Sequence, residues 1–164
     1  MAGDGSLGLG EVPPPCWRAG LTFVTTGLLE HDMNSGEVLI RVRYSETDQM
    51  GTFYNSRALE WFEVGRTEAL RQMGVAYTEM ESRGVMLPLI EAHVEYLGRA
   101  VYDDQLRITA KLSKPKAARF RFDIEIEHAE SGKAVARGYT IHAVTDEQGK
   151  VMRPPKWLLF DLGF

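Results

Sequence analysis

The sequence predicts an α+β domain in which a curved antiparallel sheet encloses one long helix. Apolar residues recur at every second position in five separate segments, which is typical of strands with one buried face. Between the first two of these segments, apolar residues recur mostly at spacings of three and four, which is typical of a helix. The later strands are joined by turns too short for a crossover, so neighbouring strands are expected to pair antiparallel. A helix with so broad an apolar surface is better buried inside a curved sheet than laid on its outside.

The first predicted strand runs from Glu37 to Tyr44, directly after a turn predicted at residues 34–36. We therefore interpret residues 1–36 as an N-terminal extension of unknown role and residues 37–164 as the folded domain. The extension is glycine-rich at its start and carries Asp4 in place of a basic segment, so it does not resemble a secretory or transit signal. Within it, residues 21–24 are apolar enough to add an edge strand.

The long helix is predicted to start at Asn55 or Ser56, either of which can cap it, and to end at Gly74. A shorter helix is predicted to follow and to stop at Gly84. Four further strands, each with apolar residues on one face, are predicted over residues 86–96, 106–112, 120–126 and 134–145. We expect one domain without internal repeats.

The composition limits the classes of function. The formal net charge is -4, with 19 basic and 23 acidic residues spread through the chain, so no overall attraction to nucleic acid or to an anionic membrane is expected. The apolar runs are shorter than the ~20 residues that a membrane-spanning helix needs. The single cysteine, Cys16, has no partner for a disulfide, which favours a cytoplasmic location. The four histidines show no metal-ligand spacing, so we expect no metal site.

The loop between the first strand and the long helix is where we expect catalysis. Asp48 lies there beside Gly51, whose backbone can turn sharply, and is flanked by the aromatic residues Phe53 and Tyr54. A carboxylate in a partly dry setting can act as a base or as a nucleophile. The alternative is that Asp48 is a turn or capping residue, which is the commoner role of an aspartate before a helix.

Five motifs occur in order along the chain. Residues 44–55 are YSETDQMGTFYN, and residues 60–71 are EWFEVGRTEALR. Residues 101–106 are VYDDQL, residues 138–143 are GYTIHA, and residues 146–155 are DEQGKVMRPP. Together these motifs resemble the hotdog-fold acyl-CoA thioesterases of the 4-hydroxybenzoyl-CoA thioesterase type.

The resemblance implies a hotdog fold, assembly into homodimers or homotetramers, and active sites at subunit boundaries. It implies neither a metal nor an organic cofactor. In such enzymes an aspartate at the position of Asp48 attacks the thioester or activates the water that does, and a backbone N–H at the helix start polarises the carbonyl. Glu60 and Glu63 are alternative carboxylates, because a second group of hotdog thioesterases uses one on the helix. The other interpretation is that they form ion pairs with Arg66 and its neighbours.

Gly51, Tyr54 and Asn55 are the predicted substrate-binding residues of this loop, with Tyr54 and Asn55 lining the acyl pocket. Packing of Tyr54 against the core is an alternative. Many relatives carry a histidine at the position of Asn55. Because an amide does not transfer protons near neutral pH, the short-chain specificity of the histidine-bearing branch is not carried over to this chain.

Basic side chains are needed for the phosphates of a coenzyme A substrate. The candidates cluster in one predicted hairpin: Lys114, Lys116, Arg119 and Arg121. The alternative is that these charges only solvate the hairpin.

The leading hypothesis is an acyl-CoA thioesterase that produces a free acid and coenzyme A. A hotdog hydratase or dehydratase is a second hypothesis, but it would need a histidine near the loop, and no histidine lies between His31 and His93. A non-catalytic acyl-CoA-binding protein is the third hypothesis. Asp48 argues against it, because a carboxylate repels the carbonyl oxygen of a bound thioester.

Overall fold

The computed structural model describes residues 34–164. The edge strand predicted at residues 21–24, together with Cys16 and His31, lies outside the described residues. The described elements are β1 (Ser35–Arg41), a 3₁₀ helix (Tyr44–Glu46), α1 (Arg57–Gln72), α2 (Tyr77–Ser82), β2 (Leu89–Tyr96), β3 (Gln105–Leu112), β4 (Arg119–His128), β5 (Ala134–Ala143) and α3 (Lys156–Asp161). None of the helices in this part of the chain is both long enough and apolar enough to span a membrane.

The five strands form one antiparallel sheet in the order β1-β3-β4-β5-β2. The register aligns Val38 with Ile108 and Ile108 with Ile126, so the apolar side chains of neighbouring strands fall on one face. Helix α1 packs on that face against β1, β3 and β4. The predicted α+β class, with a long helix against an antiparallel sheet, is confirmed.

Helix α1 presents one apolar stripe to the sheet, which is why it lies in the core. Its buried residues are Ala58, Trp61, Phe62, Gly65, Ala69 and Leu70. Gly65 permits the close approach of the helix to β3, because a Cβ there would lie 2.6 Å from Cγ2 of Ile108. The small residue at this position therefore sets the distance between helix and sheet.

Strand β1 begins earlier than predicted. Ser35 and Gly36 pair with Lys111 and Ala110 of β3, so the turn predicted at residues 34–36 is wrong for these two residues. The strand also ends earlier, at Arg41, and Tyr44 begins the 3₁₀ helix. The alternation of apolar side chains continues beyond the end of the strand. Alternation alone does not show where the pairing with β3 ends.

Three further boundaries differ from the prediction. Ser56 precedes α1, but it makes no side-chain cap because its own backbone is already helical, with φ −64° and ψ −22°. Strand β2 starts at Leu89, whereas Met86 forms only an isolated bridge with Thr145. Helix α3 has no counterpart in the prediction; it begins after Pro155, a residue type common at helix starts.

Strand β2 is an edge of the sheet and carries exposed apolar side chains. Leu89, Ile90 and Tyr96 are 53%, 50% and 49% exposed. A long edge strand presents unpaired N–H and C=O groups that favour pairing with another strand. The edge formed by β2 is therefore a surface suited to association.

Candidate active site

Asp48 lies in a tight loop between the 3₁₀ helix and α1. Its Oδ1 accepts a hydrogen bond from the Met50 N–H at 2.7 Å. The Asp48 N–H donates to the Thr52 carbonyl at 2.9 Å, and the Gly51 N–H donates to the Asp48 carbonyl at 3.1 Å. Gly51 has φ 68°, which glycine adopts without strain. The loop therefore fixes one oxygen of the carboxylate by local backbone bonds.

The other carboxylate oxygen, Oδ2 of Asp48, receives no hydrogen bond from any residue between 34 and 164. The side chain is half-buried. A carboxylate with one fixed and one open oxygen can take a proton from a water molecule or attack an electrophilic carbon. The geometry therefore permits both roles predicted for Asp48.

The segment after β2 holds this loop in place. The Arg99 guanidinium donates to the Met50 carbonyl at 2.9 Å. Thr52 Oγ1 lies 3.4 Å from the carbonyl oxygen and 3.4 Å from the N–H nitrogen of Ala100. The Tyr96 hydroxyl donates to the Asn55 carbonyl, just before α1, at 2.8 Å. The Asp48 loop is therefore anchored at one end of β2.

A buried carboxylate, Glu46, holds the same loop from the core side, and the sequence alone does not identify it. Glu46 is 7% exposed. Its Oε1 accepts from the Trp61 indole N–H at 3.2 Å, and its Oε2 accepts from the Arg43 N–H at 2.7 Å. Its carbonyl accepts from the Tyr54 N–H at 2.8 Å. The sequence shows only that a carboxylate lies two residues before Asp48. It does not show that this carboxylate accepts a hydrogen bond from Trp61.

The start of α1 offers unused hydrogen-bond donors. The N–H groups of Asn55 and Ser56 donate to no acceptor within residues 34–164. Free N–H groups at a helix start carry partial positive charge and can stabilise a developing oxyanion. The structure thus brings donors and the Asp48 carboxylate into one loop.

Tyr54 and Phe53 have opposite environments. Tyr54 is 56% exposed, and the interpretation that it packs in the core is wrong. Phe53 is 3% exposed and packs on Trp61, with ring centroids 4.9 Å apart. The backbone alternates its side chains here, so the loop buries one aromatic ring and leaves the other available.

The two helix carboxylates considered as alternatives are both ion-paired. Glu60 Oε1 lies 2.6 Å from Arg57 Nη1, and Glu63 Oε2 lies 3.8 Å from Arg66 Nη2. The Arg66 side chain is largely buried, and burial lowers the pKa of its guanidinium. The ion-pair interpretation of Glu60 and Glu63 is therefore confirmed.

A cavity of about 530 Å³, here named the basic cavity, is lined by Lys114, Lys116 and Arg119. Its other lining residues are Ser113, Arg121 and Ile141. Lys116 and Arg119 face each other across a tight turn, each N–H donating to the carbonyl of the other at 3.2 and 3.1 Å. Arg121 already pairs with Asp123 at 2.7 Å, a hydrogen bond that raises the pKa of Arg121. The side chains of Lys114, Lys116 and Arg119 have no partner among the described residues.

Within the chain, the Asp48 loop and the basic cavity lie near opposite ends of β5. Tyr96, which bonds to the start of α1, pairs with Ala136. Arg119 pairs with Ala143 at the other end of the strand. With a strand rise of about 3.3 Å per residue, the two ends are about 23 Å apart. The structure brings Asp48, Gly51, Tyr54 and Asn55 together, and it brings the three basic residues together, but it separates the two groups.

The histidines lie outside this loop. His142 is 1% exposed, with Nδ1 2.9 Å from the Leu87 carbonyl and Nε2 3.1 Å from Thr140 Oγ1. Burial lowers the pKa of His142 to about 4, so the ring is neutral at neutral pH. His93 is exposed and stacks on Tyr139. Between residues 34 and 164 there is no group of three or more histidine, cysteine, aspartate or glutamate side chains placed to hold a metal ion.

Comparison with known sequences gives consistent matches. Residues 42–162 match the family model of the thioesterase-like superfamily. The chain is 46% identical to the "Putative acyl-CoA thioesterase YneP" of Bacillus subtilis over 57 residues, which is 35% of this chain and only 41% of that protein. It is 28% identical to a 1,4-dihydroxy-2-naphthoyl-CoA hydrolase of Synechocystis over 120 residues, covering 71% of this chain and 87% of that protein.

Comparison with solved structures supports the fold. A 4-hydroxybenzoyl-CoA thioesterase, solved with 4-hydroxybenzoyl-CoA, superposes with a TM-score of 0.72. The superposition covers 79% of this chain and 99% of that one at 15% identity, so this likeness concerns the fold alone. The hotdog fold implied by the sequence motifs is confirmed.

Proposed function

Because this chain belongs to the thioesterase-like superfamily, we propose that it hydrolyses an acyl-CoA thioester to a free acid and coenzyme A, with Asp48 as the catalytic residue. The observation that carries the proposal is the Asp48 carboxylate, with Oδ1 fixed by the Met50 N–H and Oδ2 open. The reaction class is supported by relatives named as a "Putative acyl-CoA thioesterase" and as a 1,4-dihydroxy-2-naphthoyl-CoA hydrolase.

Asp48 acts as a general base or as a nucleophile. As a base, Oδ2 takes a proton from water while the water oxygen bonds to the thioester carbon; the C–S bond then breaks and the thiolate leaves, taking up the proton. As a nucleophile, Oδ2 bonds to the carbonyl carbon itself, the thiolate leaves, and water hydrolyses the resulting anhydride. A positioned base contributes about 10²- to 10⁴-fold to the rate.

The free N–H groups of Asn55 and Ser56 receive the charge that develops on the carbonyl oxygen. Each such donor contributes about 10²- to 10³-fold. The exposed side chains of Tyr54 and Asn55 line the acyl-binding region. Gly51 has no Cβ, so the substrate can approach the loop backbone closely.

Lys114, Lys116 and Arg119 hold the phosphates of the substrate. Ala136, near the start of α1, and Ala143, near the basic cavity, are about 23 Å apart along β5 of one protomer, at about 3.3 Å per residue. We therefore place the basic cavity at the active site of a second protomer. Pairing of two β2 edges about a two-fold axis sets the Leu89 end of one strand beside the Tyr96 end of the other. The basic cavity lies on the side of Leu89, because Leu89 and Phe120 both pair with His142. This pairing therefore completes each site with two protomers.

The assembly we propose is a homodimer, or a homotetramer built from such dimers. It is supported by the exposed apolar residues Leu89 and Ile90 on the edge strand. We also propose a cytoplasmic location, supported by the single cysteine of the sequence.

The test measures free-thiol release from a panel of aliphatic and aromatic acyl-CoA compounds, with Asp48→Asn as the variant. We expect a loss of about 10²-fold or more. The amide oxygen can still accept the Met50 N–H, so the fold should be preserved. Asp161→Asn is the matched control, because Asp161 is an exposed carboxylate in α3.

The outcomes separate the alternatives. Thiol release that persists undiminished in Asp48→Asn contradicts the role of Asp48. Binding of acyl-CoA without thiol release supports the binding protein in place of the hydrolase. Gain or loss of water on the acyl chain, with the thioester intact, supports the hydratase or dehydratase.

A further inference from the structure

We propose that Tyr96 is a positioning residue for the reaction, because its hydroxyl fixes and polarises the peptide unit that joins Asn55 to Ser56. This proposal rests on the proposed function, in which the free Ser56 N–H receives charge from the thioester carbonyl oxygen. The Tyr96 hydroxyl donates to the Asn55 carbonyl at 2.8 Å. The Asn55 carbonyl and the Ser56 N–H belong to one planar peptide unit, so a hydrogen bond at one end orients the other end.

The two donor peptides before α1 are held in different ways. The Tyr54 carbonyl, which belongs to the first donor peptide, accepts the Arg57 N–H at 2.9 Å. The Asn55 carbonyl, which belongs to the second, accepts the Ala58 N–H at 3.4 Å. That distance is beyond the usual range of about 2.7–3.2 Å for such a bond. The shorter hydrogen bond from Tyr96 is therefore the main contact that holds the second donor peptide.

Tyr96 is a rigid donor because both its backbone and its ring are fixed. Its backbone pairs with Ala136 at the end of β2, and the N–H of the next residue donates to the Val135 carbonyl at 2.9 Å. Its ring packs on Phe53, with ring centroids 6.1 Å apart. Phe53 is itself 3% exposed. The sheet and the core therefore hold the Tyr96 hydroxyl at the start of α1.

A fixed and polarised peptide is a stronger donor to an oxyanion. Hydrogen bonds in a chain strengthen one another, so a carbonyl that accepts a hydrogen bond makes the N–H of the same peptide more positive. A donor that is already oriented needs no reorganisation when negative charge develops on the substrate oxygen. The Ser56 N–H donates to no acceptor within residues 34–164, so its added polarity is available to a ligand. Tyr96 thus acts on the reaction through the Ser56 N–H.

The first test compares thiol release by the wild type and by Tyr96→Phe, on the acyl-CoA of the panel that the wild type hydrolyses fastest. The variant keeps the ring against Phe53 and removes only the hydroxyl. We expect kcat to fall about tenfold, as for the loss of one hydrogen bond. KM should change little, because the carbonyl oxygen becomes charged only in the transition state. Tyr102→Phe is the matched control, since Tyr102 is exposed and its hydroxyl has no hydrogen-bond partner among the described residues.

The second test does not use hydrolysis. Nuclear magnetic resonance of the free, isotope-labelled protein measures the chemical shifts of the Asn55 carbonyl carbon and of the Ser56 amide proton. In Tyr96→Phe we expect both signals to move upfield, because the peptide loses a hydrogen bond at its oxygen. Arg99→Gln is the comparison, since Arg99 anchors the same loop through the Met50 carbonyl. It leaves the Asn55 carbonyl bound and should not move these signals, so this comparison separates a loosened loop from a lost Tyr96 bond.

Three results overturn this role of Tyr96. They are an unchanged kcat in Tyr96→Phe, a loss that lies in KM alone, and unchanged shifts of the Asn55 and Ser56 signals. Upfield shifts together with a lower kcat and an unchanged KM support it. If the wild type released no thiol from any acyl-CoA compound, the proposed function would fail and the role of Tyr96 with it. Normal release by the wild type with an unaffected Tyr96→Phe would contradict only the role of Tyr96.

Discussion

The indole N–H of Trp61 donates a 3.2 Å hydrogen bond to Oε1 of Glu46, and this bond connects α1 to the 3₁₀ helix just before Asp48. The other carboxylate oxygen of Glu46 accepts the Arg43 N–H at 2.7 Å. Both oxygens of a carboxylate that is 7% exposed are therefore hydrogen-bonded. A buried polar group that is fully satisfied holds one conformation, and here that conformation orients the Asp48 loop.

Glu46→Ala is expected to lower the free energy of unfolding by about 2–4 kcal/mol, because it leaves the buried Trp61 N–H and the partly buried Arg43 N–H without their acceptor. Glu46→Gln should cost less, since its amide oxygen can still accept one of them. Urea unfolding measures the stability of both variants. Thiol release should also fall, because the Asp48 loop becomes less ordered without Glu46. Glu60→Ala, at an exposed ion pair, should change stability by less than about 1 kcal/mol. Equal effects of Glu46→Ala and Glu60→Ala would contradict this role of Glu46.

Gly138→Ala is expected to displace β2 from β5. A Cβ at Gly138 would collide with the backbone carbonyl of His93 on the adjacent strand. We expect a destabilisation of about 3 kcal/mol, at the upper end of the cost of overpacking. Thermal and urea unfolding measure this loss.

The control for Gly138 is Gly132→Ala, in the β4–β5 turn. Gly132 has φ 66°, and a Cβ added there would meet no atom within 4 Å. Only the backbone strain of about 1 kcal/mol therefore applies to this variant. If Gly138→Ala were no more destabilising than Gly132→Ala, the strands would not be packed as described.

His142 predicts a loss of stability in mild acid. Burial, with a smaller contribution from Arg66, lowers the pKa of His142 to about 4 from an ordinary value of 6.5. Between these values the unfolded chain binds more protons, so the stabilisation is complete above about pH 6.5 and is lost as the pH falls toward 4. The loss is on the order of 3 kcal/mol.

The measurement compares urea unfolding of the wild type and His142→Asn from pH 7 to pH 4. Because both proteins carry the same carboxylates, the difference between them isolates the histidine. The wild type should lose more stability than the variant over this range. Parallel curves for the two proteins would show that His142 does not titrate as its burial requires.

The division of each site between two protomers predicts complementation. Asp48→Asn and the triple variant Lys114→Gln/Lys116→Gln/Arg119→Gln should each be inactive or nearly so. When equal amounts of the two variants are refolded together, about half of the dimers are mixed, and one of the two sites in each mixed dimer is intact. Activity should therefore return to about one quarter of that of the wild type. Thiol release measures the recovery. Activity equal to the average of the two separate variants would place each complete site in one protomer.

Several features follow from the sequence because they depend on neighbouring residues. The spacing of apolar residues predicts α1, and Gly74 marks its end with φ 87°. The turn around Asp48 and Gly51 is also local, since the hydrogen bonds that Asp48 makes join residues at most four positions apart. These elements are found where the pattern predicts them.

Other features depend on contacts between distant parts of the chain. The start of β1 at Ser35 is set by its pairing with Lys111, and the aromatic partner of Glu46 is set by the packing of α1 on the sheet. Helix α3 is stabilised by burial of Leu158 and Leu162 in the core. Local patterns contain no information about such partners.

The sequence by itself determined the type and order of the five strands and of α1 and α2, the loop with Asp48 and the cluster of basic residues in one hairpin. Only the tertiary structure decided that Tyr54 is exposed, that Glu46 is buried, and that the basic cavity lies at the other end of β5 from the start of α1. The physical reason is that side-chain periodicity records which face of an element is buried, whereas strand order and register decide which ends of different elements meet.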